Sequence, residues 1–282
     1  MLLVLLGCGS CGDPPTGGDD IERGDPLLRH PQESGAFLYY QDIGGNGRIN
    51  GIYRINLSDS VPQAELLVDR AMFPAVSPSG TKMAYVKGGL YMMDLATREA
   101  ELIGSGDVLQ PKWLGEDTLV FELFAGKIYI VDVNVKDPVL EYEGFGSLLD
   151  ISPSGVLAFA DGYSISTVRL HDSERVDIFA YPNSDEFVAD GDWSPDEDEL
   201  VFEYWRGIDR EVRVIRLYGP SPIVQTIAAN GKYPAFSENE QRVLYVYIDP
   251  GRRKEINGQI WIVNVEDASD NKPLTTWEMM RH

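Results

Sequence analysis

The feature that most constrains this chain is a sixfold internal repetition with a period near 40 residues. With Ser77 in F-P-A-V-S-P-S-G as anchor, the equivalent positions are Ser34, Ser77, Leu114, Ser152, Ser194 and Ser237, spaced by 43, 37, 38, 42 and 43 residues. Three positions earlier a proline recurs, at Pro31, Pro74, Pro111 and Pro234. Just after the anchor comes a turn-forming cluster: P-S-G at 78–80, G-E-D at 115–117, P-S-G at 153–155, P-D-E-D at 195–198 and E-N-E at 238–240. Pro fixes φ, Gly accepts positive φ and Asp bonds its own backbone, so these clusters reverse the chain.

Each turn precedes a short apolar segment: AFLYY (36–40), KMAYV (82–86), TLVFEL (118–123), VLAFA (156–160), ELVFEY (199–204) and RVLYVY (242–247). A further set follows: GIYRINL (51–57), GLYMMDL (89–95), KIYIVDV (127–133), ISTVRL (165–170), EVRVIRL (211–217) and QIWIVNV (259–265). A weaker last set is AELLV (64–68), AELIG (100–104), VLEYE (139–143), VDIFA (176–180), IVQTI (223–227) and PLTTW (273–277). Alternation of period 2, short length and turn-rich borders identify strands. With the stretch leading into each anchor, every unit supplies four strands. An isolated unit exposes its edges and a sheet face, so neighbours must stack and the ring must close. The expected fold is all-β: a six-bladed β-propeller with four antiparallel strands per blade. Residues 26–34 are poor in strand formers, so the innermost strand of the first blade is expected either there or from Thr276–His282.

The pattern P-x-x-S-P-x-G, an apolar strand, then I-Y-x-x-D-L resembles the repeat of TolB-like propellers. Pro74, Ser77, Pro78, Gly80, Tyr91 and Asp94 form the fullest copy. The unit at 110–147 lacks the Ser-Pro, and that at 148–190 lacks the Tyr and Asp. The resemblance implies a propeller over about residues 28–277. Some propellers of this repeat type precede a serine-hydrolase domain, and others carry lyase activity on a histidine-bound metal. The three histidines here, His30, His171 and His282, are scattered.

Recurrence once per blade marks the S-P-x-G residues as turn chemistry rather than a nucleophile. Asp94, Asp132, Asn56 and Asn264 read as punctuation at strand ends. The stretch from Asp192 to Glu203 follows an EF-hand outline, but Glu197 stands where that loop needs glycine. No G-x-S-x-G, H-E-x-x-H or phosphate loop occurs. No catalytic residue, cofactor or metal is therefore expected.

The balance of 45 acidic against 24 basic side chains, net −21, repels phosphate backbones and excludes nucleic acid as a partner. Both cysteines, Cys8 and Cys11, lie in the first dozen residues. C-G-S-C without further ligands or a βαβ context is neither a zinc nor a thioredoxin-like site. The string V-L-L-G-C resembles the lipobox of bacterial lipoproteins, which implies a lipid on Cys8. Residues 1–8 are then a signal and lipobox remnant. Residues 9–27, rich in Gly, Pro and Asp, are a flexible tether, and residues 28–282 are the propeller. The resemblance implies anchoring at the cell envelope, with Gly9 favouring the outer membrane.

The expected function is a non-catalytic, lipid-anchored scaffold for another envelope protein. The alternative is a carbohydrate or small-ligand binder, or an enzyme, using carboxylates at the channel mouth. Loops between the second and third strands are expected to be long at Gln41–Asn50, Trp205–Arg210 and Asp249–Gly258. Ring closure would gather them in one sector. Arg48, Trp205, Arg206, Arg210, Arg252, Arg253 and Lys254 are the candidate partner-binding residues, suited to an acidic partner.

Overall fold

The computed structural model describes residues 27–43, 49–123, 126–144, 146–181, 183, 185–218, 221–237, 241–248, 259–276 and 279. Cys8 and the tether lie outside them. The described residues contain 24 strands and no helix. Blade one holds β1 (Leu27–Ser34), β2 (Phe37–Ile43), β3 (Ile49–Asn56) and β4 (Ala64–Asp69). Blade two holds β5 (Met72–Val76), β6 (Lys82–Val86), β7 (Leu90–Asp94) and β8 (Ala100–Gly104). Blade three holds β9 (Val108–Leu114), β10 (Thr118–Leu123), β11 (Lys127–Asp132) and β12 (Val139–Glu143). Blade four holds β13 (Ser147–Ile151), β14 (Val156–Ala160), β15 (Ser164–Arg169) and β16 (Arg175–Ala180). Blade five holds β17 (Glu186–Trp193), β18 (Glu199–Arg206), β19 (Asp209–Arg216) and β20 (Ile223–Ala229). Blade six holds β21 (Gly231–Phe236), β22 (Arg242–Tyr247), β23 (Gln259–Asn264) and β24 (Asn271–Pro273).

Each blade is one four-stranded antiparallel sheet made from consecutive strands. Six apolar clusters fill the six spaces between blades, one for each pair of neighbours. The cluster joining Leu28, Leu38 and Tyr40 to Leu244, Val246 and Ile260 closes the ring between blades one and six. The core is therefore a ring of interfaces, and no blade buries its faces without both neighbours.

The recurring turn residues do what their chemistry suggests. Ser77 Oγ accepts the Lys82 N–H, Gly80 N–H donates to the Ser77 carbonyl, and Gly80 has φ of 70°. Asp94, Asp132, Asn56 and Asn264 each turn a side-chain oxygen onto the backbone N–H two residues on. The third-strand tyrosines stack on their cross-strand partners, Tyr53 on Tyr40 and Tyr91 on Tyr85, at 5.8 and 5.6 Å between ring centroids.

The innermost strand of blade one is β1, at the first of the two places expected and despite its weak strand composition; Met279 accepts a hydrogen bond from Ala64 N on the outer strand β4. Two expectations need correction. The last strand is not 273–277 but Asn271–Pro273. The chain bends after it, and the buried Thr275 hydroxyl takes over by accepting the Ile260 N–H. Trp205–Arg210 is not a long loop. β18 and β19 extend through it and leave only Gly207 and Ile208 as a tight hairpin.

Candidate binding site in the channel and at its rim

The innermost strand of every blade carries a register irregularity four residues or so before its end. In five blades the residue four before the anchor takes positive φ: His30 (48°), Phe73 (53°), Gln110 (43°), Asp190 (30°) and Tyr233 (51°). These are β-bulges, and in four of them the next residue is the recurring proline, which needs no ladder N–H there. In blade five Gly191 replaces the proline, and its missing Cβ matters: a Cβ there would lie 3.0 Å from the Val201 carbonyl. Blade four has Leu148 and Leu149 at these positions and no positive φ. The five bulge residues line a cavity in the channel, together with Lys112 and Asp192 one pleat further along their strands.

Most polar groups around this cavity are committed to holding blades together. Asp150 Oδ2 accepts Trp193 N–H of the next blade, and Asp192 Oδ2 accepts Phe236 N–H of the blade after, both at 2.8 Å. Further out, the second strands carry a latch in alternate blades. Gln41, Glu122 and Glu203 occupy equivalent positions and accept the N–H of Phe73, Leu148 and Tyr233 in the following blade. Val86, Ala160 and Val246 hold the same place in the other blades. Lys112 Nζ donates to the Gly191 carbonyl at 3.2 Å and sits 3.4 Å from Asp150 Oδ1. Burial opposes its charge, but Asp150, Asp192 and Asp190 outweigh burial and raise its pKa.

Asp190 differs from its neighbours. Its Oδ1 accepts Gln110 Nε2 at 2.8 Å across the channel and lies 3.6 Å from His30 Nδ1. Burial pushes its carboxyl up to about 6, while Lys112, Arg29 and Lys232 pull the other way. Burial, then the charges of Lys112 and Arg29, hold His30 down at about 3, so its ring is neutral at neutral pH. Burial and Asp150 raise Asp192 well above the usual carboxylate range. Burial and the Asp190 charge hold Glu203 at about 7.

Glu203 ties the channel to the rim. Its carboxylate accepts Trp205 Nε1–H and lies 4.0 Å from Arg210 Nε. The Arg210 guanidinium stacks 3.2 Å from the Trp205 ring centre, and Phe187 meets the same ring edge-on at 5.4 Å. Ile208 at the hairpin tip is 94% exposed and Phe187 is 48% exposed. Thus Trp205, Arg206 and Arg210 share one hairpin, with Arg206 facing Glu186 and Asp209 across the strands. Arg48, Arg252, Arg253 and Lys254 lie outside the described residues. The sequence reading passed over His30, Gln110, Lys112 and the inward role of Asp190. For His30, Gln110 and Lys112 the available signal was position, immediately before or after the recurring proline. The EF-hand outline dissolves in space, because Asp192 is in β17 and Glu203 in β18. Glu197 instead sits in the intervening turn at φ 65° and accepts Ser154 N–H from blade four.

No protein-family model and no characterised sequence matches the chain. Among solved structures it is similar to TolB from Acinetobacter baumannii, with 19% identity and TM-score 0.62 over 91% of this chain, spanning 64% of that one. It is similar to an oligogalacturonate lyase in complex with manganese, at 14% identity and TM-score 0.58, covering 92% of this chain and 78% of the other. It also resembles a chain of a nidogen/laminin complex at 11% identity and TM-score 0.61, covering 92% and 96%. At these identities the likeness concerns the fold: the chain is a six-bladed β-propeller, similar in fold to the propeller of TolB.

Proposed function

We propose that this protein is a non-catalytic interaction module of the cell envelope, docking a partner on the rim formed by blades five, six and one. The observation that carries this reading is the division of labour among polar groups. Asp150, Asp192, Glu122 and Glu203 each accept a backbone N–H from the next blade, so their orientation is spent on closing the ring. A general acid and base must instead face a reacting group within hydrogen-bond reach. The cavity, about 40 Å³, is lined by the bulge residues and the residues that follow them. Outside it, the blade-five hairpin presents Ile208, Phe187 and the Trp205–Arg210 stack, the aromatic and arginine composition of interface anchors. The cations of the same sector suit an acidic partner, whose capture weakens as salt rises.

The test is capture from a membrane extract by wild type and by Ile208→Asp, whose side chain supports nothing in the fold. Loss of a partner retained by wild type supports the reading, and unchanged capture by the variant sinks it. The lipid anchor is tested separately with Cys8→Ser, expected to release the protein from membranes and to abolish acyl mass on the N-terminal peptide. A second reading, ligand binding in the channel, is favoured by one observation: Asp190 is buried there and serves no latch.

A further inference from the structure

Three consecutive blades place aromatic rings on one side of the channel. Tyr233, His30 and Phe73 form an arc, with centroids 4.8 and 5.1 Å apart. On the other side stand Asp190 and Gln110, joined by their own hydrogen bond. All five are held there by positive-φ bulges, a strained conformation that persists only where surroundings enforce it. Gln110 spends its amide N–H on Asp190, and its Oε1 is buried with no partner. Asp190 lies against the neutral His30, and the charges of Lys112, Arg29 and Lys232 act on it. In the next layer, by contrast, an ammonium group is already in place, since Lys112 Nζ lies against Asp150 and the Gly191 carbonyl. Aromatic faces, one carboxylate and one amide oxygen around a small cavity are the lining that recognises an ammonium headgroup. His30 and Asp190 keep 16% and 15% of their side chains reachable by solvent, so the group can be approached.

We propose that the channel binds a primary ammonium group between the Tyr233–His30–Phe73 arc and the Asp190–Gln110 pair. Two sources share this chemistry: the side chain of a lysine presented by a partner protein, or a free small amine. The cavity of about 40 Å³ admits a headgroup of methylammonium size. The site is separate from the blade-five hairpin and stands whether or not that surface docks a protein.

The test is a titration of the whole protein with methylammonium chloride and with an acetylated, amidated lysine, against sodium chloride at equal ionic strength. The readouts are the His30 imidazole NMR signals and the melting temperature. Saturable shifts of His30 and a higher melting temperature with either amine, but not with sodium, are expected. The lysine derivative binding tenfold or more tightly points to a partner's side chain, and comparable affinity points to a free amine. Asp190→Asn keeps the Gln110 contact and should weaken binding at least tenfold. Phe73→Leu, which keeps an apolar side chain but removes a ring, should weaken it severalfold and serves should Asp190→Asn fold poorly. Binding should also fade as pH falls through about 6, where Asp190 gains its proton. No saturable shift with either amine, or equal affinity in wild type and both variants, would overturn the proposal.

Discussion

Blades two and five are built on the same repeat and differ in almost everything that matters for function. Blade two is four strands of five residues each. It offers the channel Phe73 and Pro74, and Val86 fills its second-strand position. Blade five has strands of eight, eight, eight and seven residues. It offers the channel Asp190 and Asp192, with Glu203 where blade two has valine. The lesson is that the repeat sets the ring, while the blades differ in a few inward positions and in the length of one hairpin. Blade two is joined to its neighbours by apolar burial and by hydrogen bonds such as Phe73 N–H to Gln41 and Ser79 to Glu116, whereas blade five adds buried charge, which must be partnered or become a liability.

The largest effect expected from breaking this difference comes from Lys112, the cation that partners blade five from blade three. Lys112→Met leaves Asp150, Asp190 and Asp192 facing one another and should cost about 3 kcal/mol in chemical denaturation. The equivalent blade-two position is already Ala75, so Ala75→Gly serves as a control and should cost about 1 kcal/mol. Next comes conversion of blade five to blade-two chemistry. Glu203→Val removes the acceptor of Tyr233 N–H and Trp205 Nε1–H and should cost about 1–3 kcal/mol at neutral pH, read from the denaturant midpoint.

The pH dependence sharpens the same contrast. Glu203 rises from its ordinary 4.5 to about 7 in the folded protein, and Asp190 from 3.8 to about 6. At these two groups the folded state binds more protons than the unfolded chain between those values, so their contribution to stability declines as pH rises through the window, while His30, lowered to about 3, works the other way up to its ordinary 6.5. Thermal melts of wild type should fall between about pH 4.5 and 7, relative to Glu203→Gln, whose profile should be flatter over that range. A wild-type profile that rises across the window relative to the variant would mean that Glu203 is not held protonated by burial. The smallest effect on stability is expected at the hairpin tip, where Ile208→Asp should change it by less than about 0.5 kcal/mol.

The ring was legible in the sequence because its determinants are local and repeated. β6, β8, β10, β12, β14 and β22 begin and end where apolar runs meet turn residues. β24 was misplaced because an outermost strand pairs on one side only, and the hydroxyl of Thr275 substitutes for ladder bonds that no alternation pattern encodes. β1 was doubtful on composition, since its formation depends on a long-range contact with blade six. The channel lining was half legible. The recurring proline announced a special position, but only the three-dimensional ring reveals that the residue before it points to a shared axis. Asp190 and Asp192 lie in an acidic run that continues to Glu199. Nothing local separates them from Asp196, which accepts a hydrogen bond from the Ser194 hydroxyl in the turn. The hairpin at Trp205–Arg210 read as a loop because charged residues interrupt its pattern, whereas Arg210 stacking on Trp205 lets the strands continue.

The central claim is that blade five, and not the repeat as such, carries the docking surface. Its most direct measurement compares partner capture from one membrane extract by wild type, by Ile208→Asp and by Lys87→Asp, the latter in the corresponding connection of blade two. All three are matched for folded concentration by thermal melt. The account predicts that Ile208→Asp loses the captured partner while Lys87→Asp retains it. Equal capture by all three, or loss only in the blade-two variant, would contradict it.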